Sequence, residues 1–126
     1  DTKKRNFENK ILLYLKKYKI SLICLAGYMK ILSKKFIRSF KKSIINIHPS
    51  LLPKFRGLNT FERILSKNEK KTGCTVHFVN ENLDAGKIIL KKFFYIDNKD
   101  NVLSLKKKTQ NLEYFAFSEA IRKIFK

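Results

Sequence analysis

The sequence predicts an α/β fold, an open and mostly parallel sheet flanked by helices. Three observations carry that expectation. Stretches with helical spacing of apolar residues alternate with short runs that are apolar throughout. Those runs, "ISLICLAG" and "SIINIH", suit strands buried on both faces. The chain has 126 residues, the length of one domain, with 44% hydrophobic content and eleven phenylalanines to fill a core.

The elements follow in order. "NFENKILLYLKKY" places Phe7, Ile11, Leu12, Leu15 and Tyr18 at helical spacing and reads as an amphipathic helix. "ISLICLAG" is a strand closed by Gly27. "SKKFIRSF" opens with Ser33 as N-cap of a short helix, and "SIINIH" is the next strand. This helix and strand rhythm predicts right-handed βα crossovers. "NTFERILSKN" is a further short helix capped by Asn59 or Thr60. "TGCTVHFV" alternates and is β-branched, hence a strand, and "NENLDAG" has the composition of a turn. "KIILKKFFYID" is another strand. From Val102 onward a closing helix is expected to bury Leu103, Leu105, Leu112, Phe115, Ala116, Ile121 and Ile124. The four glycines form no Gly-rich phosphate loop, so the chain is expected to enter the α/β pattern part-way through, with an N-terminally incomplete sheet.

Composition narrows the functional classes. Twenty-nine Lys and Arg against ten acids give a formal charge of +19. That charge would bind polyanions weakly and in a salt-dependent way. Lysine doublets and triplets nevertheless recur along the whole chain, and only five of the 29 are arginine, the usual fork for phosphate and base edges. Specific nucleic-acid recognition is therefore not expected. No apolar run reaches the ~18 residues of a membrane span, and "DTKKRNFENK" lacks a signal-peptide core. A cytoplasmic location follows as the expectation. Cys24 and Cys74 lie in strand-like stretches and read as small buried apolar residues, with disulfide, metal or nucleophile as the alternatives. No ligand-spaced His/Cys cluster exists, so no metal is expected.

One stretch is chemically distinct: "INIHPSLLPKFRGLNTF", residues 45–61. Asn46 and His48 sit two apart at the carboxyl end of "SIINI", so their side chains point the same way. Ligands of open α/β sheets bind at this end. An amide donor beside an imidazole suits a developing oxyanion. Asp84 in "NENLDAG" follows the next strand and could hold the imidazole in one tautomer while favouring its charged form. Each has a plain alternative: loop packing for Asn46 and His48, turn formation for Asp84. His77, inside "TVHFV", reads as structural.

"LAGYMKILS", "INIHPSLLPKFRGLNTFE" and "TGCTVHFVNENLDAGKII" together resemble the folate-dependent formyltransferase family, most closely its phosphoribosylglycinamide formyltransferase branch. The resemblance runs in register over nearly the whole chain. It implies a Rossmann-like formyltransferase sheet and transfer of formyl from the cosubstrate 10-formyltetrahydrofolate to the amine of glycinamide ribonucleotide, a step of purine synthesis. Residues 1–126 would be the C-terminal two-thirds of the domain, its catalytic and folate-binding part.

Carried over by position, Asn46, His48 and Asp84 would be catalytic. Met29, Lys30, Ile31 and Leu32 would bind the pterin edge of the folate, with Lys30 where the family usually has arginine. Val79, Asn80, Glu81 and Asp84 would form the opposite wall, with Asn46 between. Pro49, Gln110 and Glu113 would meet the ribonucleotide. Without the family's phosphate loop, the chain alone is expected to be weak or inactive. Formyltetrahydrofolate deformylase, methionyl-tRNA formyltransferase and a non-catalytic basic binding module are the alternatives. The partners implied are the two small molecules, with no membrane, and a homodimer stays open.

Overall fold

The structure, a computed structural model, describes residues 2–27, 32–82 and 85–125. Helix α1 (Thr2–Lys17) leads into strand β1 (Leu22–Leu25), helix α2 (Lys34–Ser39) and strand β2 (Ser43–His48). Helix α3 (Thr60–Ser66), strands β3 (Lys71–Phe78) and β4 (Ile88–Tyr95) and helix α4 (Val102–Ile124) follow. Among the described residues the four strands form one sheet in the order β1-β2-β3-β4. The expected open α/β sheet with flanking helices is present.

Strand direction is mixed within it. β1 and β2 are parallel across the α2 crossover, with Leu25 opposite Asn46. β2 and β3 are antiparallel, with Asn46 opposite His77 and His48 opposite Thr75. β3 and β4 are antiparallel as well. A physical reason lies in the connection after β2: α3 packs against α4 rather than carrying the chain back across the sheet.

Each face of the sheet has its own core. Ile45, Ile47, Cys74, Val76 and Leu90 meet Ala116 and Ala120 of α4, with Leu112, Phe117 and Ile121 around them. The other face carries Ile44 against Phe36 and Phe40, joined by Ile11, Leu12 and Leu15 of α1. Ser33 caps α2 as expected, its hydroxyl accepting from the Phe36 N–H at 3.0 Å. The buried Glu8 carboxylate accepts from both the backbone N–H and the hydroxyl of Ser33, tying α1 to that cap. At the start of α3, Asn59 is the N-cap by position but makes no side-chain cap bond, and Thr60 donates to Gly57 O.

Several burial expectations differ from what the packing gives. β1 is only half-buried and Cys24 is exposed, because β1 has a strand neighbour on one side alone among the described residues. β3 is buried on both faces rather than alternating, since α4 covers one face and the residues after β2 cover the other. Leu103 and Phe115 are 75% and 63% exposed. The buried stripe of α4 is Leu105, Thr109, Ala116 and Ala120, and both misplaced residues lie off that line by helical geometry. On α1 the inward positions are Glu8, Ile11, Leu12 and Leu15. Phe7 and Tyr18 fall outside that set and are exposed, Tyr18 stacking on Tyr14.

Candidate active site

β2 is a run of β-branched residues interrupted by Asn46 and ended by His48. Its alternation puts Ile45 and Ile47 into the α4 core and turns Ile44, Asn46 and His48 to the other face. Asn46 is half-buried there and His48 is 6% exposed. The structure thus brings the amide and the imidazole to one face at the carboxyl end of a strand, as the spacing predicts.

What fixes the imidazole is the chain that follows it. His48 Nε2 lies 2.7 Å from the Phe55 carbonyl oxygen. That oxygen can only accept, so Nε2 donates. Phe55 holds a left-handed backbone (φ 58°), unusual for a bulky residue, and Gly57 (φ 83°) and Asn59 (φ 55°) share that region. Arg63 of α3 clamps the same loop: its guanidinium donates to Arg56 O at 2.5 Å and Leu58 O at 3.0 Å, and sits over the Phe55 ring. Inside the turn, Ser50 Oγ donates to Lys54 O at 2.6 Å. Thr75 on β3 donates to Ser50 O at 2.7 Å and accepts from Leu52 N at 3.0 Å. Both Ser50 and Thr75 are fully buried. Phe55, Arg63, Ser50 and Thr75 do not stand out in the sequence. The positive φ of Phe55 and the Thr75 bonds depend on register across 25 residues, which no local pattern carries.

The remaining expected site residues divide three ways. Met29, Lys30, Ile31 and Asp84 lie outside the described residues. Leu32 and Val79 pack against the cluster around Ile44, two residues before Asn46 on the same face, and Val79 N donates to Ile44 O at 2.8 Å. These two offer an apolar wall beside Asn46. Next to them, Asn80 turns its side chain to Asn82 N at 2.8 Å, and the exposed Glu81 pairs with Arg38 at 2.5 Å. Pro49 is half-buried immediately after His48.

Gln110 and Glu113 lie on α4, which packs against the opposite face of the sheet. Gln110 is exposed. Burial pushes the Glu113 carboxyl above the ordinary carboxylate range. The Cys74 thiol, buried by the same packing and facing the Glu113 charge, is pushed up to about 12 and stays protonated. Cys74 is thus an inert core residue, as its setting in the sequence suggests. His77 is likewise buried in β3, its Nδ1 at 2.9 Å from Phe78 O.

This arrangement can present two hydrogen-bonding groups to a carbonyl oxygen at a strand end, beside an apolar wall. Asn46, His48, Leu32 and Val79 all belong to the described residues. Among the described residues no group of three His, Cys, Asp or Glu side chains could hold a metal ion, and no helix is long and apolar enough to cross a membrane.

Comparison with known proteins gives the same direction. The formyl transferase family model matches residues 2–121. Phosphoribosylglycinamide formyltransferase of Haemophilus influenzae is 41% identical, over 94% of this chain and 59% of that protein. The human trifunctional purine biosynthetic protein adenosine-3 is 41% identical over 92% of this chain and 12% of its own length. Among solved structures, phosphoribosylglycinamide formyltransferase from Brucella melitensis superposes with a TM-score of 0.89 at 40% identity, over 96% of this chain and 62% of that one. The enzyme from Anaplasma phagocytophilum also gives 0.89, at 38% identity, over 92% and 57%. The chain spans less than two thirds of each of these relatives. With a family model covering nearly all of it, the chain belongs to the formyl transferase family.

Proposed function

We propose that this chain carries the acid–base and folate side of a transferase that moves the formyl group of 10-formyltetrahydrofolate to the amine of glycinamide ribonucleotide. The observation that carries the proposal is the pairing of Asn46 and His48 on one face at the end of β2, with the imidazole already held by Phe55 O. The relatives from H. influenzae, B. melitensis and A. phagocytophilum are named for the same acceptor.

In this reading the amine nitrogen attacks the formyl carbon. Negative charge grows on the formyl oxygen, where the Asn46 amide and the Nδ1–H of a charged His48 imidazolium donate hydrogen bonds, Nε2–H being engaged by Phe55 O. Such preorganised donors act at no reorganisation cost when charge develops. The C–N bond to the folate then breaks, one proton leaves the amine and one is delivered to the departing nitrogen. Asp84 would favour the charged imidazole and order a water for that relay. Leu32 and Val79 keep the folate side apolar, with Met29, Lys30 and Ile31 reading the pterin edge. Pro49 would hold the ribonucleotide beside His48, and Gln110 and Glu113, on α4 across the sheet from that pair, would reach it only past the strand ends. The cytoplasm, where purine precursors and folates meet, is the proposed location.

Thermal unfolding with a non-hydrolysable formyl-folate analogue tests the folate half directly. A ligand that binds only the native state stabilises it by about 2.7 kcal/mol at a hundred times its Kd. A rise in melting temperature that Asn46→Ala reduces is expected. No shift at millimolar analogue would remove the folate from the proposal.

A further inference from the structure

We propose that Thr75 is a positioning residue for His48, and that it acts by fixing which imidazole nitrogen exchanges a proton: Nδ1, not Nε2. Thr75 stands directly opposite His48 in the antiparallel pairing of β2 and β3. It is fully buried, and its hydroxyl uses donor and acceptor together, giving to Ser50 O at 2.7 Å and taking from Leu52 N at 3.0 Å. Both partners belong to the segment that leaves His48, so one side chain on the neighbouring strand pins that segment at two backbone atoms. Ser50 passes the constraint on through its own hydroxyl, 2.6 Å from Lys54 O. The next residue is Phe55, whose carbonyl meets His48 Nε2 at 2.7 Å.

The consequence is chemical. A backbone carbonyl has no proton to give, so the nitrogen facing it carries hydrogen in the neutral and in the charged imidazole alike. Gain and loss of a proton therefore take place at Nδ1. Moving Phe55 O away would let the neutral ring redistribute between its two tautomers and weaken the orientation of the atom that exchanges. A buried hydroxyl that bonds two backbone groups across strands is suited to prevent that, because its loss leaves both groups without a partner in a dry site. The tautomer assignment stands on geometry alone. Only its effect on rate rests on the transferase reading.

Nitrogen-15 NMR of the His48 ring in this chain reads the tautomer without any substrate. The expected result is a neutral ring protonated at Nε2 in the natural chain and in Thr75→Ser, which keeps the hydroxyl. Thr75→Val, close in shape but without it, is expected to give signals averaged between the two tautomers. Ser50→Ala, which removes the bond to Lys54 O and a longer contact with Phe55 O at 3.5 Å, is expected to move them the same way by less, and it serves if the valine variant does not fold. In a chain extended with the N-terminal portion of the H. influenzae relative, formyl transfer should fall about tenfold in Thr75→Val, one hydrogen bond's worth of alignment, and return in Thr75→Ser. A ring protonated at Nδ1 in the natural chain, or an unchanged ring in both Thr75→Val and Ser50→Ala, would overturn the proposal. An absent transfer activity with the expected tautomers would instead count against the transferase reading and leave the positioning role standing.

Discussion

Glu113 on α4 lies close enough to Cys74 on β3 for its charge to help hold the thiol's proton in place. The carboxyl itself is half-buried and its pKa is raised, because burial penalises its charged form. A carboxylate kept in such a place weakens the fold, and groups of that kind concentrate where ligands bind.

The sign of its pH effect follows from that direction. A raised carboxyl pKa means that folding costs nothing at this group below about pH 4.3, its unfolded value. The cost appears as pH rises through that value and is complete above the folded pKa. Glu113→Gln should therefore melt at a higher temperature than the natural chain at pH 7, with the difference gone near pH 4. Two melting curves check it.

Asp100 behaves in the opposite sense. Its carboxyl is lowered below the ordinary range, chiefly by the hydrogen bond from Lys108, whose Nζ lies 2.8 Å away. Ser104 Oγ donates to the same carboxylate at 2.7 Å, within the capping box that Asn101 and Ser104 form at the start of α4. This stabilisation is full above about pH 3.9, the unfolded value, and is lost as pH falls through the lower folded pKa. Asp100→Asn should destabilise by about 1 kcal/mol at pH 7, since Lys108 is half-exposed and the pair is screened. Near pH 2 variant and natural chain should converge in urea titrations.

Gly73 is required by the approach of two strands. A Cβ there would stand 1.8 Å from Lys92 O and 2.7 Å from Phe93 Cα, both backbone atoms that cannot swing aside. Gly73→Ala should cost roughly 1–3 kcal/mol or more by forcing β3 and β4 apart. Hydrogen exchange of the β4 amides is the readout, with loss of protection expected there first.

Arg63 supports the loop after His48 from outside, through Arg56 O and Leu58 O. Arg63→Ala should lower stability by about 1 kcal/mol and loosen Phe55. Steady-state kinetics of an active extended chain should then show a drop in kcat larger than any change in KM for the folate.

Much of this architecture can be read from the residues. The rhythm of helices and strands, the Ser33 cap and the shared face of Asn46 and His48 all follow from short-range periodicity, the kind of signal a single sequence holds. What is hidden depends on partners far along the chain. The pattern of "TGCTVHFV" alternates, yet α4 and the loop after His48 bury both of its faces. Nothing local says that β1 has one strand neighbour among the described residues and exposes Cys24, or that Leu103 points away from the core. Thr75 looks like any strand threonine until the register sets it across from His48. The shared face of Asn46 and His48 is a local signal, whereas the hold of Phe55 O on the imidazole exists only in the fold.

The most direct measurement of the central claim is formyl transfer from 10-formyltetrahydrofolate, by this chain and by the chain extended with the H. influenzae N-terminal portion, with and without glycinamide ribonucleotide. Tetrahydrofolate should appear only when the ribonucleotide is present, and His48→Ala should abolish it. Tetrahydrofolate and formate released without the ribonucleotide would contradict the account and make water the acceptor.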